Sequence, residues 1–89
     1  MFLHLGQNTV IKQDEIIGIF DLDNTTVSKW TREYLSKAEK KGKICNVSTE
    51  LPKSFVVCEN SNKEITVYIT QISTSTLIKR SENTDGLIY

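Results

Sequence analysis

Two carboxylates, Asp21 and Asp23, stand two residues apart at the end of an apolar run, in the sequence IIGIFDLDNTT of residues 16–26. Two residues at this spacing share one face of a strand. Two carboxylates placed in this way can catalyse phosphoryl transfer, because one can attack phosphorus as the nucleophile while the other acts as general acid and base. The stretch therefore raises the hypothesis of a magnesium-dependent phosphatase.

The stretch resembles the first motif of the haloacid-dehalogenase-type phosphatases, but the rest of the chain lacks what their chemistry needs. Such domains use a doubly wound parallel sheet and a second acidic pair for magnesium. After Asp23 the acidic residues are isolated from one another, and the 89 residues are few against the roughly 100 to 200 of a full domain. We predict that the protein is not an enzyme and that Asp21 ends a strand that leads into a helix.

Composition predicts one small domain without a metal or cofactor. A chain of this length buries only roughly 60 to 65% of its unfolded surface, so self-association would stabilise it. Cys45, Cys58 and the single His4 have no metal-ligand spacing, and we interpret both cysteines as small core residues. The role of His4 stays open, although its alternation with Leu3 and Leu5 predicts a side chain facing solvent or a subunit contact.

No membrane partner is expected either. The N-terminus lacks the basic region of a signal peptide, and no segment reaches the ~20 apolar residues of a membrane span. We therefore expect a cytoplasmic protein whose thiols are reduced.

Charge is balanced overall but separated along the chain. Eleven basic and eleven acidic residues give a net charge of zero. Residues 1–27 carry four carboxylates and one lysine, a balance of −3, whereas residues 28–43 carry six cations and two carboxylates, a balance of +4. The basic charge therefore lies on one element. These cations could form a ligand-binding site, or they could simply be the solvent-exposed face of a helix.

The element pattern predicts an α+β fold with a small, mostly antiparallel sheet, one long amphipathic helix over about residues 28–41 and a short C-terminal helix over about 77–81. We predict strands at residues 2–5, 9–11, 16–20, 44–47, 54–58 and 64–70. The near-continuous apolar character of 16–20 predicts a central strand covered on both faces.

Three finer predictions follow from the same patterns. Ser28 is a candidate N-cap of the long helix, and Trp30 shares an apolar stripe with Tyr34 that favours a core position. Val67 and Ile69 alternate with more polar neighbours, so one of the two faces is expected to meet solvent or a partner, and for an oligomeric interaction module we expect Val67 and Ile69 to be exposed apolar residues of a subunit interface. Residues 1–81 should form a single domain and 82–89 a flexible tail.

Several blocks together resemble the Rem family of small bacterial regulators of extracellular matrix, in its RemB type. The blocks are FLHLG at 2–6, IIGIFD at 16–21, TREYL at 31–35, LPKSFVV at 51–57 and ISTSTLIKR at 72–80. The resemblance covers about residues 1–81. It implies a compact α+β protein that assembles into rings and, for the RemA branch, DNA binding that activates biofilm-matrix genes.

The resemblance also shows a departure in the residues that bind DNA. RemA-type proteins use arginines at positions that fall here near Asp14, Glu50 and Leu51, and only Lys53 keeps a neighbouring basic side chain. Losing these cations would weaken phosphate binding strongly. Compensating contacts must come from the remaining candidate cations, which together with Lys53 are Lys37, Lys40, Lys41, Lys43, Lys79 and Arg80.

Two hypotheses from different classes remain. The first is a DNA-binding transcriptional regulator whose homo-oligomer holds phosphates on a basic rim. The second is an oligomeric interaction module that acts through protein contacts and does not bind DNA. Neither requires a small-molecule substrate.

Overall fold

The computed structural model describes residues 1–22 and 28–82. The elements in chain order are β1 (Phe2–Gly6), β2 (Thr9–Lys12), a 3-10 turn (Gln13–Glu15), β3 (Ile16–Asp21), α1 (Lys29–Lys40), β4 (Ile44–Asn46), β5 (Ser54–Glu59), β6 (Ile65–Thr70) and α2 (Thr74–Ser81). β1 and β2 form a hairpin, and the other strands form a sheet in the order β3-β5-β6-β4. In that sheet β4 runs parallel to β6 and the other neighbours are antiparallel. The α+β prediction is confirmed, since residues 1–22 and 28–82 form two α-helices, a two-stranded hairpin and a four-stranded mixed sheet.

The four-stranded sheet has a separate core on each face. Along β5, Phe55 and Val57 pack towards α1, whereas Val56 and Cys58 pack towards the hairpin and α2. This alternation follows from the two-residue period of a strand. Every residue of β5 except its last is buried. β5 is therefore the strand that both outer layers cover.

The prediction that residues 16–20 form the central strand is wrong, because β3 lies at an edge of the sheet. Ile17 is 59% exposed and Phe20 is also exposed. A bulge between Ile16 and Gly18 breaks the pairing register with β5 and turns Ile17 out of the regular alternation. An apolar run cannot by itself distinguish a doubly covered strand from an edge strand that lines a groove.

Helix α1 is shorter than predicted, with 12 residues, because Ser28 and Lys41 are its caps. The Ser28 prediction is confirmed, since the Ser28 hydroxyl accepts a hydrogen bond from the Thr31 N–H at 3.1 Å. At the other end the N–H groups of Gly42 and Lys43 donate to carbonyls of the last turn, at 3.0 and 2.9 Å. This is a Schellman motif, and Gly42 provides its left-handed residue with φ +70°.

Two apolar positions differ from the sequence-based expectation. Trp30 is 69% exposed rather than buried, and its indole stacks on the ring of Tyr34 at 5.9 Å between centroids. Val67 is fully buried and Ile69 packs against the same core, so neither lies on an exposed face. Both differences arise because α1 covers β6 and leaves the β3 side of the sheet open.

Helix α2 begins at Thr74, three residues before the predicted start. The hydroxyl-rich segment forms its first turn, and Ser73 caps it by accepting from the Thr76 N–H at 3.3 Å. Thr70 and Ser54, both buried, connect the layers: the Thr70 hydroxyl donates to the Leu5 carbonyl and the Ser54 hydroxyl to the Ile72 carbonyl, each at 2.6 Å. Residues 83–89 of the predicted tail lie outside the described residues.

The ring of Phe20 lies over Gly18, and this contact gives a prediction for the stability of the protein at the β3 edge. A Cβ at Gly18 would lie 2.7 Å from the Phe20 ring, which stacks on Phe55 at 4.9 Å. Gly18→Ala should displace that ring and lower the free energy of unfolding by about 1 kcal/mol, the value of an aromatic pair. Urea unfolding measures the change. In a Phe20→Ala background the same substitution should cost nothing, and an equal cost in both backgrounds would contradict the packing described.

Candidate nucleic-acid interface

The basic residues of α1 lie around its C-terminal end. Lys37 and Lys40 are in the last turn, Lys41 is the C-cap and Lys43 follows Gly42. Cations are stabilised at this end of a helix because the last carbonyl groups carry partial negative charge. The Schellman turn directs the chain from α1 straight into β4, so Lys43 stays close to the helix.

Three of these lysines line one groove. Lys37, Lys41 and Lys43 surround a cavity of about 240 Å³ with Tyr34 and Ile65. Lys41 and Lys43 also line a neighbouring cavity of about 360 Å³, to which Glu64 contributes a carboxylate. We call Lys37, Lys41 and Lys43 the lysine groove. It groups three cations at the C-terminal end of α1.

The other candidate cations lie elsewhere. Lys53 is at the opposite end of the sheet, where its N–H donates to the Thr70 carbonyl at 2.9 Å. Lys79 and Arg80 are on α2, on the other face of the sheet, and the Arg80 guanidinium donates to the His4 carbonyl at 3.2 Å. Lys40 is exposed on α1 but does not line the groove. Within one chain the seven candidates therefore do not form a continuous surface.

The positions at which the resemblance implies arginines are also separated. Asp14 is exposed just before β3, whereas Glu50 and Leu51 are exposed in the loop before β5. β3 and β5 are antiparallel, so the two loops lie at opposite ends of the sheet.

His4, whose side chain was expected to face solvent or a subunit contact, is half-buried in β1.

A feature that the sequence did not indicate lies between α1 and β3. Ile17, Phe20, Trp30 and Tyr34 form the walls of a cavity of about 150 Å³ whose floor is Phe55 and Val57. We call it the apolar groove. The sequence signal was the single Trp30 beside an apolar strand, but only the edge position of β3 shows that these side chains are left uncovered.

The catalytic hypothesis gains no support from the described residues. Asp21 is exposed at the end of β3, and Asp23 lies outside the residues that the structure describes. Within residues 1–22 and 28–82, no group of three or more His, Cys, Asp or Glu side chains could hold a metal ion. Of the two helices described, neither has the length and apolar character that a membrane crossing requires.

The two cysteines are free thiols in different environments. Cys58 is buried, whereas Cys45 is half-buried rather than in the core as predicted. Burial, together with the charge of Glu15, raises the pKa of the Cys58 thiol from 9.0 to about 11. Burial likewise raises the pKa of Tyr68.

A raised pKa in the folded protein predicts alkaline destabilisation. The neutral thiol of Cys58 contributes stability below its unfolded pKa, and that contribution is lost as the pH rises from about 9 through about 11. Because the folded protein keeps the Cys58 thiol buried and protonated, alkylation of Cys58 in a Cys45→Ser variant should be slow in native protein and fast in urea. Equal rates in the two conditions would contradict the burial of this thiol.

Comparison with known proteins identifies relatives over almost the whole chain. Residues 2–80 match the model of the RemA-like family, described as extracellular matrix regulatory protein A-like. The chain is also 34% identical over 82 residues to extracellular matrix regulatory protein B of Bacillus subtilis strain 168, a match that covers 92% of this chain and 91% of that protein. The family match runs from β1 into the last turn of α2.

Proposed function

Because the chain belongs to the RemA-like family of extracellular matrix regulatory proteins, we propose that it is a cytoplasmic, DNA-binding transcriptional regulator of extracellular-matrix and biofilm genes that acts as a ring-like homo-oligomer. It acts without catalysis, cofactor or small-molecule substrate. Its ligand is double-stranded DNA, held mainly through phosphates.

The observation that carries this proposal is the lysine groove. Lys37, Lys41 and Lys43 line one cavity, and their ammonium groups are available to hold phosphate oxygens. Contacts of this kind position a protein on the duplex without reading its sequence. Repetition of the groove around an oligomer would add contacts along one DNA segment, which offsets the small number in a single chain.

A second candidate is an oligomeric interaction module without DNA binding. The zero net charge and the acidic and apolar residues Asp14, Glu50 and Leu51 favour it, since they leave no basic loop of the kind that the RemA resemblance implies. The apolar groove would then be the functional surface.

Titration of fluorescent double-stranded DNA with the full chain separates the two candidates. We expect a saturable rise in anisotropy at low salt that falls steeply towards physiological salt. Light scattering on the same sample should give a defined oligomer. A folded oligomer without affinity for DNA at low salt would favour the interaction module instead.

A further inference from the structure

The four-stranded sheet has two edges with backbone groups directed outwards. At the β4 edge, the Lys43 carbonyl accepts from the Val67 N–H and the Val47 N–H donates to the Ile69 carbonyl. The alternate residue Asn46 therefore directs its backbone groups away from β6. Within the described ranges, neither β3 nor β4 pairs with another strand on its outer side. Such edges can pair with a strand of another chain.

The two edges carry opposite charge at matching positions. Asp14 and Glu15 immediately precede β3, while Lys41 and Lys43 immediately precede β4. β3 and β4 run in the same direction, since both β3 and β6 are antiparallel to β5 and β4 is parallel to β6. The acidic start of one edge strand and the basic start of the other thus lie at the same end of the sheet.

The β3 edge also carries the apolar groove, whose exposed members are Ile17, Phe20 and Trp30. The groove opens on the face of the sheet that α1 covers over β6. If a second copy continued the sheet beyond β3 with its β4 first, its α1 would lie on this same face beside the groove. Side chains that are exposed in one chain would then be covered by the next.

We propose that β3 of one chain pairs in parallel with β4 of a second copy, so that the sheet continues from chain to chain. Asp14 and Glu15 would lie beside Lys41 and Lys43 of the second copy, which leaves Lys37 as the member of the lysine groove outside this charge contact, and the apolar groove would be covered by its α1. The contact joins two different surfaces, which gives a ring if the rotation closes. The inference rests on the self-assembly in the proposed function and specifies its interface.

Pairing of β3 with a second β3 fits the charges less well. The antiparallel arrangement of a two-fold dimer would place Asp14 and Glu15 of one chain beside Asp21 of the other. Like charges in facing positions of a sheet are destabilising. The charges therefore select the β4 edge as the partner of β3.

One variant for each edge tests the interface. Ile17→Lys places a charge in the groove at a side chain that is already 59% exposed. Asn46→Pro removes an N–H that points away from β6, so it blocks outer pairing while the bonds to β6 remain. Light scattering at micromolar concentration should show an oligomer for the wild type and a monomer for each variant. Val10→Lys, at a residue 44% exposed on the hairpin, is the matched control and should assemble like the wild type.

Mixing the two variants is the decisive step. Each variant keeps the edge that the other has lost, so the mixture should form a dimer with one intact β3–β4 interface and nothing larger. Assembly of either variant alone to the wild-type size, or a mixture of folded variants that stays monomeric, would overturn the proposal. So would a wild type that is monomeric at this concentration. Trp30→Lys replaces Ile17→Lys if circular dichroism shows that the latter is unfolded.

Size measurements on the edge variants and DNA titration of the wild type together distinguish a wrong interface from a failure of DNA binding. If DNA binds and assembly persists in both edge variants, the proposed function stands and this interface is wrong. If both variants are monomeric but the wild-type oligomer has no affinity for DNA, the interface stands and the proposed ligand is wrong.

Discussion

Replacing Lys37 and Lys41 together by Glu is expected to lower the affinity for double-stranded DNA by on the order of 10²-fold or more. Both side chains line the lysine groove, so each substitution removes a cation that releases a counterion from DNA and adds a repulsive carboxylate. The helix should persist, because both residues are exposed and an unfavourable charge at a helix C-terminus costs only about 0.3 to 1 kcal/mol. Anisotropy titration at low salt measures the loss, and light scattering on the same sample shows whether the oligomer persists, because Lys41 also faces Asp14 and Glu15 of the neighbouring copy in the proposed interface.

The matched control is the double substitution Lys53→Glu and Lys79→Glu. It changes the net charge of the neutral chain by the same four units, but its two side chains lie outside the groove, one at the far end of the sheet and one on α2. We expect a clearly smaller loss of affinity. Equal losses in the two double variants would show that total charge, rather than the groove, controls binding.

Leu77→Ala is expected to have the largest effect on stability. Leu77 is fully buried in the core that joins α2, the β1–β2 hairpin and the sheet. Truncating a buried leucine costs about 2 to 5 kcal/mol. A small domain has a free energy of unfolding of only about 5 to 15 kcal/mol, so a substantial part of the stability would be lost. Urea unfolding followed by circular dichroism measures the difference.

The neighbouring residue provides the control for this substitution. Ile78 is exposed on the same helix, so Ile78→Ala removes a similar side chain without leaving a cavity. Its effect should be well below that of Leu77→Ala. Similar effects at both positions would mean that α2 does not pack through Leu77.

Local sequence signals predicted the elements whose causes are themselves local. Ser28 beside a helical pattern specifies an N-cap through a short-range hydrogen bond to the Thr31 N–H. The Rem resemblance added the family, which the comparisons confirm.

Features that depend on layer arrangement could not be predicted in the same way. The apolar run of β3 and that of β5 look alike in sequence, but only β5 has a neighbouring strand on each side. Trp30 and Val67 exchanged their expected exposures because α1 lies over β6 rather than over β3. Likewise, Lys53 and the lysines of the groove were all candidate cations in the sequence, and only the fold shows that Lys53 lies away from the lysine groove.

DNA binding through phosphates is tested most directly by a salt series on the wild-type oligomer. The logarithm of the binding constant should fall linearly with the logarithm of salt concentration, with a slope of about −0.9 for each phosphate contacted. The Lys37→Glu and Lys41→Glu double variant should show a shallower slope. A folded wild-type oligomer that does not bind DNA at the lowest salt concentration would contradict the proposed function.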